Sequence, residues 1–196
     1  MKIPEWDLFL GDGYKNVRLS LKREHYVSDD VQFNSPNVIV DFCNKNLYLG
    51  SQAEEHVYLI ALGSNKILGI SELSHGDANR ASCRPREMFA RLLLMGAIHF
   101  VIVHNHPIGD PRPSKADKSI LCQVAELSYM MCVSMLDFII VSGEQFFSAD
   151  MNGLMKEVSE SFKHKKFDED EEEEDEEDEE AVDLKPDEKK PEKEAS

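Results

Sequence analysis

The 196-residue chain predicts an α/β domain of three layers or sandwich form, and two observations carry that expectation. Short apolar runs of strand length alternate with longer segments whose apolar residues recur at helical spacing, and three of those helical segments open on Ser or Pro. The second observation is a division of charge. Residues 168–196 hold 18 acidic and 4 basic residues, so they carry −14 of the formal −16 and leave about −2 for residues 1–167. A nearly neutral body of that length suits one medium domain plus appendages.

In chain order, Asn16 to Tyr26 alternates at Val17, Leu19 and Leu21 and predicts a strand or extended arm, with 1–34 read as an arm ahead of the domain. Ser35-Pro36 opens a helix carrying Val38, Ile39 and Phe42, because proline at the first helical position removes an N–H that has no partner there anyway. Val57 to Leu62 and Ile67 to Leu73 flank Gly63-Ser64-Asn65-Lys66 and predict a hairpin. Pro85 to Gly96 predicts a helix with Phe89, Leu92 and Leu93 on its buried side. Ile98 to Val103, apolar or β-prone apart from His99, predicts a buried strand. Pro107, Gly109, Pro111 and Pro113 make a rigid turn. Ser114 then caps an amphipathic helix with Ile120, Leu121, Val124, Leu127 and Met131, and Met135 to Val141 is a further core strand. The domain is placed at 35–160. The remainder, 161–196, is expected to be a disordered acidic tail, since Asp168 to Glu180 has no apolar residue to bury.

Function is written most densely in His104-Asn105-His106-Pro107, followed by Ser114 and Asp117. Side chains two apart on an extended segment share a face, roughly 6–7 Å apart at the backbone, and imidazoles of that reach can converge on one zinc ion. Asn105 points the other way. Asp117 falls at the third position of a helix capped by Ser114, in the first turn, where a carboxylate can face back towards the histidines. Taken singly, Ser-x-x-Asp is ordinary helix-start chemistry and His-x-His is ordinary surface or core sequence. The combination of strand, paired histidines, proline-rich turn, capped helix and carboxylate is what points to a metal.

The spacing His-x-His-x7-Ser-x2-Asp, met by His104, His106, Ser114 and Asp117, resembles the metal motif of the JAMM (MPN+) metalloprotease superfamily. His-Asn-His-Pro, Gly109-Asp110-Pro111, Pro113-Ser114 and Asp117 narrow the resemblance to its RadC-like branch, with Pro85-Arg86-Glu87 and Asp137 to Val141 falling where that branch has similar segments. The likeness runs from about Ser35 to Gly153. Ile108, Phe138 and Leu121 depart from its usual serine, histidine and threonine, and none of them is a proposed ligand.

The resemblance implies a mixed β-sheet flanked by helices in the cytidine-deaminase-like, three-layer JAMM/MPN fold. It also implies Zn2+ held by His104, His106 and Asp117, and a zinc metallopeptidase activity on a peptide or isopeptide bond of a peptide or protein substrate. Ser114 is carried over as the residue that helps stabilise the oxyanion, a role it would combine with capping. The superfamily also uses a glutamate just before a core strand. Glu54 and Glu55 both precede Val57, and the RadC-like pattern favours Glu55, two residues ahead of the apolar run. Such a glutamate would accept and return the proton during hydrolysis. Two other readings stand beside this one: a non-catalytic interaction module with a structural zinc, and a DNA-repair or mobile-element accessory.

Composition bears on the alternatives. Non-specific DNA affinity needs clustered basic charge, and the body is nearly neutral, with only Lys163, Lys165 and Lys166 as a small cluster. Longer RadC-like proteins carry a helix-hairpin-helix region that the N-terminal arm does not match. No stretch has the length and apolarity of a membrane span and no signal-peptide layout opens the chain, so a cytoplasmic location is expected. Cys43, Cys83, Cys122 and Cys132 are widely spaced, which predicts buried thiols rather than a disulfide framework. Gly11-Asp12-Gly13 reads as a turn, and His75 and His99 read as ordinary histidines.

Overall fold

The computed structural model describes residues 1–11, 16–27, 33–64, 66–76, 84–107 and 109–162. Among them run β1 (Lys2–Gly11), β2 (Asn16–Tyr26), α1 (Pro36–Leu47), β3 (Glu55–Leu62), β4 (Ile67–Gly76), α2 (Pro85–Met95), β5 (His99–Asn105), α3 (Lys115–Met130), β6 (Ser134–Ser142) and β7 (Gln145–Ser148). The strands join in one sheet of order β2-β1-β4-β3-β5-β6-β7. β1 runs parallel to β4 and β5 to β6, and every other neighbouring pair is antiparallel. The expected mixed α/β sheet flanked by helices is therefore present.

Side-chain alternation divides the layers. Ile39, Phe42 and Cys43 of α1 share a core with Tyr58, Ile60, Val101, Val103, Ile139 and Val141. Residues of the opposite parity face α2 and α3: Phe89 meets Phe100 edge-on with ring centroids 6.2 Å apart, and Asp117 meets His104. The central strands β3, β5 and β6 are covered on both sides, which is why they read as near-continuous apolar runs rather than as alternation.

Local details refine the expectations. Helix α2 ends where Gly96 adopts φ 68° and returns its N–H to the carbonyls of Leu92 and Leu93. Its buried stripe is Met88, Phe89 and Leu92, whereas Leu93, expected inside, is 54% exposed. At about 100° per residue Leu93 stands some 40° past Phe89, beyond the edge of a narrow stripe. Cys43 is buried, but Cys122 and Cys132 are exposed, against the expectation for the thiols. Cys122 is turned away from the Leu121 and Val124 stripe of α3, and Cys132 occupies a left-handed turn after that helix, with φ 54°.

Met1–Ser159 form one unit. Of Glu160–Ser196, residues 160–162 are described and helical; residues 163–196, with the Lys163, Lys165 and Lys166 cluster and the acidic tail, lie outside the described residues, as do Asp12, Gly13, Cys83 and Ile108.

The segment read as an arm holds β1 and β2, which pair with each other and, through Glu5 and Ile70, with β4. The register shifts so that Glu5 faces Arg23 while Trp6 faces Leu21, which makes Lys22 the extra residue of a bulge. The bulge aims Lys22 Nζ at Glu5 Oε1 (3.1 Å) and Glu72 Oε2 (3.0 Å). Arg23 Nε and His25 Nε2 each lie 2.8 Å from Glu5 Oε2, and the Glu5 side chain is wholly buried. Burial pushes the Glu5 carboxyl up, but hydrogen bonds to His25 and Lys22 and the Arg23 charge outweigh it and hold the group below its ordinary 4.5.

Glu5→Gln should therefore cost about 1–3 kcal/mol in urea unfolding at neutral pH, the lower part of that range reflecting the partial exposure of Lys22 and Arg23. Because the folded value is depressed, this contribution is present above 4.5 and is lost as pH falls through the folded value, so the two proteins should converge in acid. Equal stability at neutral pH would remove Glu5 from the account.

Candidate metal centre

β5 delivers the first histidine from its buried end, where His104 is 5% exposed. The chain keeps to β6 past the end of the strand, because the His106 N–H donates to the Val141 carbonyl at 2.8 Å. The two imidazoles sit together, ring centroids 5.0 Å apart and tilted by 44°. The third group arrives from α3. Ser114 caps that helix: its Oγ accepts from the Asp117 N–H at 3.2 Å, and its own N–H donates to Asp117 Oδ2 at 2.7 Å. The capping box thus holds the Asp117 carboxylate at the helix N-terminus, turned towards β5.

His104 Nε2 lies 3.6 Å from Asp117 Oδ1, and His106 Nε2 lies 3.6 Å from Oδ2. All three donor atoms fall within 4.8 Å of one another. Ligands about 2 Å from a tetrahedral zinc stand roughly 3.3 Å apart, so these separations are those of atoms around a common centre. They are too long for direct hydrogen bonds.

The electrostatics suit a metal. Burial pushes the His104 imidazole down to about 4, against the opposing pull of Asp117. Phe138 helps to exclude water, its ring edge-on to His104 at 5.2 Å. Among the described residues His104 Nε2 is buried and has no hydrogen-bond partner, which is costly for a polar atom unless something else is meant to meet it. His106 Nδ1 lies 2.8 Å from the Asp110 carbonyl, a contact that makes Nδ1 the donor and leaves Nε2 with its lone pair. Burial also works against charge on Asp117, but the Ser114 hydrogen bond and the two histidines prevail and hold its carboxyl below the ordinary range.

The upstream glutamates separate by register. Val57 pairs with His104 across β3 and β5 with no bulge between the two strands. Two-residue alternation then puts Glu55 on the His104 face of the sheet and Glu54 off it. The Glu54 side chain is 64% exposed and lies 3.8 Å from His75 Nε2. Between the ligands, Asn105 is buried, and its amide bonds the Glu54 carbonyl and the His56 N–H.

A family model described as RadC-like JAB domain matches residues 33–154. The chain belongs to this family. Its curated relatives include UPF0758 proteins of Clostridium acetobutylicum, 32% identical over 128 residues, and of Trichlorobacter lovleyi, 32% identical over 124 residues. These alignments cover 65% and 63% of this chain and 55% and 54% of the relatives. A UPF0758 protein of Pseudoalteromonas translucida is 34% identical over 126 residues, covering 64% of this chain and 56% of its own. The chain spans about half the length of the curated relatives it matches.

The RadC-like domain thus brings His104, His106 and Asp117 together, with Ser114 bonded to Asp117 and exposed at the same helix start. His75 stacks on His56 at 5.3 Å and His99 opens β5 at its far end, so neither joins the cluster. Two supporting groups were not legible in the sequence: the Asp110 carbonyl, which any residue type would supply, and the Asn105 amide, whose partners lie 49 and 51 residues away. Among the described residues no helix is long and apolar enough to cross a membrane.

Proposed function

We propose that this RadC-like domain is a zinc-dependent hydrolase that cleaves a peptide or isopeptide bond. The observation that carries the reading is the convergence of His104, His106 and Asp117, in which a buried imidazole nitrogen has no hydrogen-bond partner among the described residues. A neutral imidazole pair and a carboxylate are a donor set that zinc takes, with a coordination position left for chemistry. Bound zinc supplies a Lewis acid and brings the pKa of a water down towards about 7.

The protein's own groups supply the rest. The register of β3 supports Glu55 as the group that accepts a proton from the attacking water and hands it to the leaving amine. Asp110 holds His106 in the tautomer a metal needs. Ser114 Oγ uses a lone pair to accept from Asp117, so its O–H remains a donor that can meet charge developing on the carbonyl oxygen of the substrate. Ser114→Ala should cost about 1 kcal/mol of stability as a lost cap and lower kcat on the order of 10²-fold as a lost oxyanion donor. A loss of stability alone, with kcat intact, would leave Ser114 as a cap only.

The activity is tested by incubating zinc-loaded protein with a fluorogenic peptide library and with lysine-linked isopeptide conjugates. Cleavage that a chelator abolishes and added zinc restores is the expected result. A fully zinc-loaded protein that cleaves neither class would favour a structural zinc in an interaction module.

A further inference from the structure

We propose that Asn105 is a positioning residue for Glu55, its amide gripping both peptide groups that flank the Glu55 Cα and holding that side chain on the face of the metal cluster. The inference rests on Glu55 being the base of the hydrolase reading. The backbone ladder between β3 and β5 ends at the pair Val57 and His104. Beyond it Asn105 Nδ2 donates to the Glu54 carbonyl at 2.9 Å, and the His56 N–H donates to Asn105 Oδ1 at 2.7 Å.

That carbonyl belongs to the peptide before Glu55, and that N–H to the peptide after it. One carboxamide therefore fixes the two planes that set the direction of the Glu55 Cα–Cβ bond. Asparagine suits the task because its side chain offers a donor and an acceptor side by side, as a neighbouring strand's backbone would. On the other edge of β3, Glu55 pairs with Gly76 of β4, so the segment is held from both sides. Asn105 is 1% exposed, so water cannot readily replace its two bonds. Its place between His104 and His106 gives one residue a hold on both the ligand segment and the base segment.

The test uses the full chain, isotope-labelled and loaded with cobalt as a paramagnetic probe. In Asn105→Ala the His56 amide should exchange with solvent on the order of 10-fold faster or more, as expected for a lost hydrogen bond in a local opening. The paramagnetic shift of the Glu55 side chain should shrink while those of the His104 and His106 rings stay. Neither readout needs turnover. On a peptide that the wild type cleaves, kcat should fall on the order of 10–100-fold with KM and metal content unchanged. In a Glu55→Gln background the same change should cost less than about twofold, because the two residues act as a unit. Asn105→Asp, which keeps the shape but replaces the donor facing Glu54, should shift the same readouts if the alanine variant folds poorly.

Wild-type shifts and kcat in the Asn105 variants, or a full additional loss in the Glu55→Gln background, would overturn the positioning role alone. A wild type that takes up no cobalt would instead sink the hydrolase reading and this role with it, and a Glu55→Gln protein that turns over as the wild type does would remove Glu55 as the base, and so this role, while leaving the hydrolysis itself standing.

Discussion

Purified protein should carry about one zinc per chain, and His104→Ala or His106→Ala should lose most of it, because each removes one of three converging donors. Elemental analysis after gel filtration reads the result, and full occupancy in the double variant would dismiss the site. The same geometry sets a pH window for the metal-free protein. His104 is held near 4 in the fold against an ordinary 6.5, so between those values the unfolded chain takes up a proton that the folded chain refuses. Its effect is to lower stability progressively as pH falls from 6.5 towards 4, and the depressed Asp117 acts in the same direction at lower pH. The melting temperature of metal-free protein should therefore drop across that range, more shallowly in His104→Leu. Zinc should steepen the dependence, since protons compete with it for the same atoms.

Glu55→Gln should leave the fold and the zinc content intact and reduce hydrolysis on the order of 10²–10⁴-fold, the usual cost of losing a general base. Glutamine keeps the shape and the hydrogen-bonding reach but cannot take up the proton. Glu54→Gln should change the rate little, because the Glu54 side chain is largely exposed beside His75 and off the His104 face. Steady-state kinetics of both variants on one cleaved peptide decide the matter. Turnover lost in the Glu54 variant and kept in the Glu55 variant would exchange the two assignments.

Much of the fold was legible because strand and helix are local choices. The β3 and β4 hairpin, the α2 and α3 helices and the β5 and β6 strands fall where apolar spacing and capping residues put them. The first two strands were harder. Val17, Leu19 and Leu21 alternate equally well in a lone arm and in a paired strand, and nothing local to Lys22 announces that it is a bulge residue reaching the buried Glu5. The same limit explains Leu93 and Cys122, since periodicity gives the direction of a stripe and packing decides its width.

By itself the sequence determined the α/β class and the candidate group His104, His106 and Asp117, because both depend on spacings of two, three or a few residues that act within one strand, one turn and one helix start. The RadC-like resemblance already favoured Glu55 over the chemically identical Glu54, and only the tertiary structure assigned their faces, since a face is set by register and the pairing of Val57 with His104 spans a long stretch of chain. Only the tertiary structure showed His104 Nε2 buried without a hydrogen-bond partner among the described residues, because the Phe138 ring and the Asp117 carboxylate that surround it come from other elements of the chain.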